Sequence, residues 1–383
     1  MKYTIVCTTI FVPKFLESYC KNIEKYGHKD NVKFYIIPDK KTPPEAAGEA
    51  DIYRSRGFNI NYVELSAQKK YLDRFPILKG KIPYNSDNRR NIGFLMAYED
   101  GANVLISIDD DNYVLEDHDF ILAHSVCGKE DSFDVIESSS GWFNTCELLE
   151  VNPSINIFPR GFPYRIRRGS PGPEISSKKE NAKIGINLGL WTKDPDIDAI
   201  SRNFMDFQIS AWKNKSLVFG KNTWIAVNTQ NTSLVRELIP AFYYVRMGFD
   251  IGGTKIDRFG DIMAGYFCQK IAKSLGYSIR VGSPICEHKR TPHNLFDDLY
   301  HEWAGIVLLE DVTLWLEQIE LEGETVKDIY RSLAQKLNEQ ADRFDGYLWN
   351  DQSRDFIREI SSCMITWIEA IDIIDSGTDR QNG

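Results

Sequence analysis

Asp109, Asp110 and Asp111 are three carboxylates in a row, placed directly behind the apolar stretch Val104-Leu105-Ile106-Ser107-Ile108. Adjacent carboxylates repel one another and raise one another's pKa values unless a cation sits among them. Hard divalent ions take carboxylate oxygens, and Mg²⁺ or Mn²⁺ held in this way commonly bridges to phosphates. Asp109 and Asp111 are therefore candidate metal ligands, with Asp110 beside a bound nucleotide. The plainer alternative is an acidic, solvated turn. His288 stands in the polar run Cys286-Glu287-His288-Lys289-Arg290. It is a candidate third ligand, because imidazole suits Mn²⁺ tolerably; a lone histidine is more often structural. A second constellation is Arg160, Arg165, Arg167 and Arg168, four arginines in nine residues, interleaved with Phe162, Tyr164 and glycines. Their planar forks could clamp a diphosphate from two sides.

These groups need elements to position them. Residues Tyr3 to Thr9 read as a strand, Phe15 to Tyr26 as a helix, and Val32 to Ile37 as a second strand closed by Pro38-Asp39. That rhythm is a βα unit of a parallel sheet. In such sheets ligands bind at the carboxyl ends of the strands. Thr8 and Asp39 lie there, as candidate nucleotide contacts, and Asp39 serves equally well as a turn residue. Lys41 to Pro76 reads as polar and irregular, with a strand at Ile60 to Leu65. A helix over Asn88 to Tyr98 carries Arg89 and Arg90 near its start, where they could meet a phosphate or pair with the acidic triplet. A further helix runs from Ile262 to Leu275, followed by a strand over Tyr277 to Val281. Val326, Ile329, Tyr330, Leu333 and Leu337 recur at helical spacing, as do Ile357, Ile360, Met364, Trp367, Ile368 and Ile371. These two amphipathic helices form an extension over 301–383 on a nucleotide-binding domain over 1–300. The polar end from Ser376 is expected to fray.

The composition narrows the classes of function. A net charge of −9 argues against nucleic acid as a partner. Seven cysteines without paired spacing argue for free thiols in a reducing compartment and against a zinc site. No apolar run approaches the ~20 residues of a membrane span, and the first residues read as a strand rather than a signal peptide. A cytoplasmic location is expected, and a homo-oligomer is compatible with all of this.

In order along the chain, several stretches resemble the reversibly glycosylated polypeptides, the UDP-arabinopyranose mutases of plants and their microbial relatives. They are Asp109-Asp110-Asp111, Arg160-Gly161-Phe162-Pro163-Tyr164, Gly189-Leu190-Trp191 with Pro195-Asp196-Ile197-Asp198-Ala199, Arg258-Phe259-Gly260-Asp261 with Ala264-Gly265, His288, and Thr366-Trp367-Ile368-Glu369-Ala370. The resemblance implies an α/β fold of the GT-A, Rossmann-like kind with a UDP-sugar held through Mn²⁺ or Mg²⁺. It also implies that the arginine at Arg160 becomes glycosylated and that Arg167 is needed. The family carries two aspartates where this chain has Gly260-Asp261, and a histidine where it has Leu188. On that reading Arg90 and Asp110 join Thr8 and Asp39 around the nucleotide. Asp261 is the carboxylate best placed to stabilise an oxocarbenium-like centre or to act as base. Three functions stay open: a metal-dependent glycosyltransferase with a separate acceptor, a mutase or self-glycosylating protein with Arg160 as acceptor, and a non-catalytic nucleotide-sugar binder. Product analysis separates the first two.

Overall fold

A computed structural model describes residues 1–167, 174–291 and 294–379, so that Arg168 and the tail from residue 380 lie outside the described residues. The described strands form a twelve-stranded sheet and a separate two-stranded ribbon. One half of the large sheet is the expected parallel unit: Asn59–Tyr62, Val32–Pro38, Tyr3–Thr9 and Val104–Ile108 lie side by side and run the same way. Their near-continuous Val, Ile and Phe content suits strands covered on both faces. The rest of the sheet is mixed. Asn231–Val235 runs antiparallel between Val104–Ile108 and the nineteen-residue strand Ile175–Lys193. The latter pairs in parallel with Tyr277–His288.

The Lys41 to Pro76 region is not irregular. It contains the helices Glu45–Ser55 and Leu65–Leu72 around the short strand Asn59–Tyr62. Only Ala46, Ala50 and Tyr53 of the first helix are buried, an apolar stripe too thin to stand out in a polar sequence. The helices Arg90–Glu99 and Gly260–Ser274 match the sequence pattern within two residues. At the carboxyl side, Val326–Gln340 and Asp351–Asp379 are the two amphipathic helices, the last running through Ser376 instead of fraying there. A third helix, Leu295–Gln318, carries apolar residues around much of its circumference and so lacks the single-face periodicity that would have shown it. Ile357, Ile360, Met364, Trp367, Ile368 and Ile371 are all fully buried, and Trp367 Nε1 donates to the Pro240 carbonyl at 2.9 Å. The terminal helix is thus continuous with the core that supports the sheet.

Candidate active site

The strand Val104–Ile108 is buried along its whole length and delivers the aspartates where it leaves the core. Asp109 is fixed by Arg90. The Arg90 Nη2 donates to Asp109 Oδ1 at 2.6 Å and to Thr8 Oγ1 at 3.1 Å. Its Nη1 donates to Ser107 Oγ, Thr229 Oγ1 and the Thr229 carbonyl at 3.1, 2.8 and 3.0 Å. Arg90 is itself buried, whereas the Asp109 side chain is 37 % exposed. The protein around Asp109 pushes its carboxyl up to about 6; Arg90 opposes that rise and Asp111 adds to it. Asp110 accepts from Thr9 Oγ1 at 2.5 Å. Burial raises Asp110 to about 7, against the Thr9 hydrogen bond and with the repulsion of both neighbouring aspartates.

Asp111 meets His288 because the strand Tyr277–His288 pairs with Asn112–Val114 in a register that sets His288 opposite Asn112. His288 Nδ1 donates to the Asp194 carbonyl at 2.8 Å, and Nε2 lies 3.2 Å from Asp111 Oδ2. Burial alone would lower the His288 pKa, but the hydrogen bond and charge of Asp111, with Asp196 behind, hold it above its ordinary value. Among the described residues, no three His, Cys, Asp or Glu side chains surround one point as a complete metal cage. Asp111 and His288 do fit a cation. Their facing atoms are spaced like adjacent ligands of an octahedral ion with bonds of about 2.1 Å. The other ring nitrogen of His288 is tied to a backbone carbonyl, as is usual for ligating histidines. A Mg²⁺ ion typically takes one or two protein carboxylates and completes its shell with water and substrate phosphates.

The arginine run does not form the expected diphosphate clamp. Arg160 directs its N–H donors to the protein. Nε and Nη2 donate to Asp196 Oδ1 and Oδ2 at 2.9 and 3.3 Å, and Nη1 and Nη2 to Asp261 Oδ1 and Oδ2 at 3.1 and 2.7 Å. Nη1 also donates to the Arg258 carbonyl. The Arg160 side chain is 11 % exposed. Burial opposes its charge, but the two carboxylates win and hold the guanidinium pKa well above its ordinary value. Asp196, which burial would raise, is brought down to about 2 by Arg160. Arg167 pairs with Asp198 at 2.7 Å, donates to the Phe162 carbonyl and lies 3.8 Å over the Tyr164 ring. Arg165 is bound to Glu310, Thr313 and Glu317 on the helix Leu295–Gln318. Arg160, Arg165 and Arg167 are struts that fasten this loop to its surroundings. Asp261, in the first turn of Gly260–Ser274, is brought against Arg160 rather than left as an isolated carboxylate.

Asp39 is 7 % exposed at the end of Val32–Pro38. It accepts from the Lys40 and Ser86 backbone N–H groups at 2.7 and 3.2 Å, and Arg89 lies 3.8 Å away. Arg89 turns away from the triplet, donates to Gln68 Oε1 and lies 4.3 Å over the Tyr84 ring. Sequence reasoning missed Asp196 as the second carboxylate on Arg160, Asp194 as the group that orients His288, and Thr229 and Ser107 as the seat of Arg90. The alternation Asp194, Asp196, Asp198 was a signal: Asp196 holds Arg160, Asp198 holds Arg167, and the Asp194 carbonyl holds His288.

The molecule is an α/β protein with a cluster of acids at the carboxyl ends of its parallel strands, the place where such folds take ligands. The sequence profile of the reversibly glycosylated polypeptide family matches residues 49–376, and the chain belongs to that family. It is 28% identical over 301 residues to UDP-arabinopyranose mutase 1 of Oryza sativa subsp. japonica, covering 78% of this chain and 74% of that protein. It is 28% identical over 315 residues to UDP-arabinopyranose mutase 3 of Arabidopsis thaliana, covering 78% and 76%. Among solved structures, S. aureus TarS 1–349 in complex with UDP superposes with a TM-score of 0.42 at 12% identity, over 89% of this chain and 72% of that one. Glucosyl-3-phosphoglycerate synthase from Mycobacterium tuberculosis, in complex with Mn²⁺, UDP and phosphoglyceric acid, superposes at 0.38 and 12% identity, over 84% and 80%. These overlaps are too loose to transfer any residue's role.

A Cβ at Gly260 would lie 2.4 Å from the Val245 carbonyl oxygen and 2.6 Å from Tyr244 Cε1, so this backbone leaves no room for a side chain there. Leu188 is buried in the sheet between Thr232 and Val281, an apolar setting that suits leucine.

Proposed function

We propose that this enzyme binds a UDP-sugar with a divalent cation and transfers its glycosyl group to an acceptor. The observation that carries this reading is the meeting of Asp111 and His288 at the strand ends, with Asp109 held beside them by Arg90. In that arrangement Asp111 and His288 would hold Mn²⁺ or Mg²⁺, which would neutralise charge developing on a departing diphosphate. The chain's own residues do the positioning. Arg90 keeps Asp109 in one rotamer, and the Asp194 carbonyl fixes the His288 proton on Nδ1. Thr9 holds Asp110 toward the first strand. Asp39, at the neighbouring strand end, borders the nucleotide.

A second reading is a mutase that isomerises the nucleotide sugar, with Arg160 as transient acceptor. It is supported by the activity named for the relatives and by the two carboxylates at Arg160. A protonated guanidinium is a poor nucleophile. Asp261 Oδ2, 2.7 Å from Nη2, is placed to take the proton as the nitrogen–sugar bond forms and the sugar–diphosphate bond breaks, UDP leaving and later taking the sugar back. The same carboxylates stabilise the protonated state, so the attack would have to be concerted with proton transfer.

The test is incubation with a panel of UDP-sugars and Mn²⁺, followed by product analysis and intact-mass measurement. Free UDP with a new glycoside supports the transferase. An isomerised nucleotide sugar, with a pentose or hexose adduct that disappears in Arg160→Lys, supports the mutase. If no UDP-sugar raises the melting temperature with or without Mn²⁺, both readings fall, since a ligand that binds the native state must stabilise it.

A further inference from the structure

The cationic side chains Arg160, Arg90, Arg258 and Arg290 near the acidic strand ends are each matched to an acid. Arg202 is different. It lies on the helix Ala199–Phe204, which Asp198 starts by accepting from the Ser201 N–H at 2.9 Å. Among the described residues, the one acceptor for its side chain is the Pro195 carbonyl, reached by Nη2, and its Nε is buried without a partner. The neighbouring acids are already engaged. Asp194 accepts from Gln208 Nε2 and the Arg290 N–H, Asp196 from Arg160 and Asn228, and Glu302 from Arg258 and the Ala199 N–H. Burial and the like charge of Arg290 bring the Arg202 pKa down to about 10. Asp196, Asp194 and Glu302 favour its charge from nearby, but none accepts a hydrogen bond from it, so the guanidinium has one carbonyl contact and an orphaned donor. Asp194 ties this corner to the metal-binding pair: its carbonyl holds His288 Nδ1 and its carboxylate holds the Arg290 N–H.

We propose that Arg202 is a binding residue for a phosphate oxygen on the His288 side of the site, where the adjacent residues Asp194 and Pro195 hold His288 and Arg202. The diphosphate of the nucleotide sugar is its first source and a phosphate on the acceptor the second. The proposal rests on the nucleotide-sugar reading above. It assigns to Arg202 the diphosphate contact that residue spacing suggested for the Arg160 run. A guanidinium is suited to this because its fork makes charge-assisted, directional hydrogen bonds to phosphate oxygens.

The test is calorimetric titration of the full chain in Mn²⁺ with UDP, with uridine, and with inorganic phosphate both before and after saturation with UDP. The wild type is compared with Arg202→Gln and Arg202→Lys. The expected result is a UDP affinity lower by roughly tenfold to a hundredfold in Arg202→Gln, the range of a hydrogen bond to a charged group. A smaller loss is expected in Arg202→Lys, with unchanged uridine binding in both. Unchanged UDP affinity with lost phosphate binding would keep the phosphate site and move its source to the acceptor. Unchanged affinity for both, or equal loss for uridine and UDP, overturns the proposal. A wild type that does not bind UDP overturns the nucleotide-sugar reading itself, and Arg202 is then judged by the phosphate titration alone.

Discussion

His288 carries the most informative single contact of the site. Facing a carbonyl on one side and a carboxylate on the other, both ring nitrogens have an acceptor, and the raised pKa reflects that. A cation can bind Nε2 only by displacing its proton, so Mn²⁺ uptake near pH 6.5 should release protons into unbuffered solution. In His288→Ala that release should fall sharply; the same release in the variant would place the ion elsewhere. Arg160 makes a prediction of another kind. It is buried between Asp196 and Asp261, and removing it leaves two enclosed carboxylates without their counter-ion. Arg160→Ala should therefore cost about 3–5 kcal/mol of stability by denaturant unfolding, the usual penalty for breaking a buried ion pair from one side. A loss under about 1 kcal/mol would show that the network contributes little to the folded state.

At the scale of elements, the site depends on how closely the helix Gly260–Ser274 approaches its neighbours. A Cβ at Gly265 would lie 2.0 Å from the Val227 carbonyl oxygen, backbone that cannot give way as a flexible side chain would. Gly265→Ala should thus destabilise by about 1–3 kcal/mol, the scale of overpacking, even though alanine favours a helix by about 1 kcal/mol. Since Asp261 rides on the first turn of that helix, the variant should also weaken the hold on Arg160. A stabilised Gly265→Ala protein would mean that the helix stands further off from Val227.

At the scale of the whole molecule, the terminal helix and the sheet share one core. Trp367 is fully buried 5.7 Å from Tyr243, and its indole N–H is satisfied by Pro240. Trp367→Ala should cost about 3–5 kcal/mol and should lower the unfolding transition of the entire chain. Two separate transitions, with residues 1–300 unaffected, would contradict this. The pH dependence of stability belongs to this scale as well. Asp109 and Asp110 have pKa values of about 6 and about 7 in the folded state, against about 3.9 in an unfolded chain. Their contribution is therefore full below about pH 4 and is lost as the pH rises toward 7, because the native state keeps protons that the unfolded state has released. Without divalent ions the melting temperature of the wild type should fall over that window more steeply than that of Asp110→Asn. Equal slopes in both proteins would rule out Asp110 as a source.

The sequence by itself determined the strand that ends in Asp109 to Asp111, the first βα unit, the helices around Arg90 and Asp261, and the two amphipathic helices near the end. Each of these is written in hydrophobic periodicity over a few consecutive residues, which acts at short range. It also marked the family, through motifs whose order survives although the overall identity is low. Only the tertiary structure decided which groups meet. His288 and Asp111 are 177 residues apart, and Arg160 reaches Asp196 and Asp261 across 36 and 101 residues. Strand register and helix placement, rather than local preference, bring such pairs together. Spacing alone assigned the arginine run to a diphosphate because a guanidinium fork fits a carboxylate and a phosphate equally well. The choice between them is made by whichever acid the fold packs beside it.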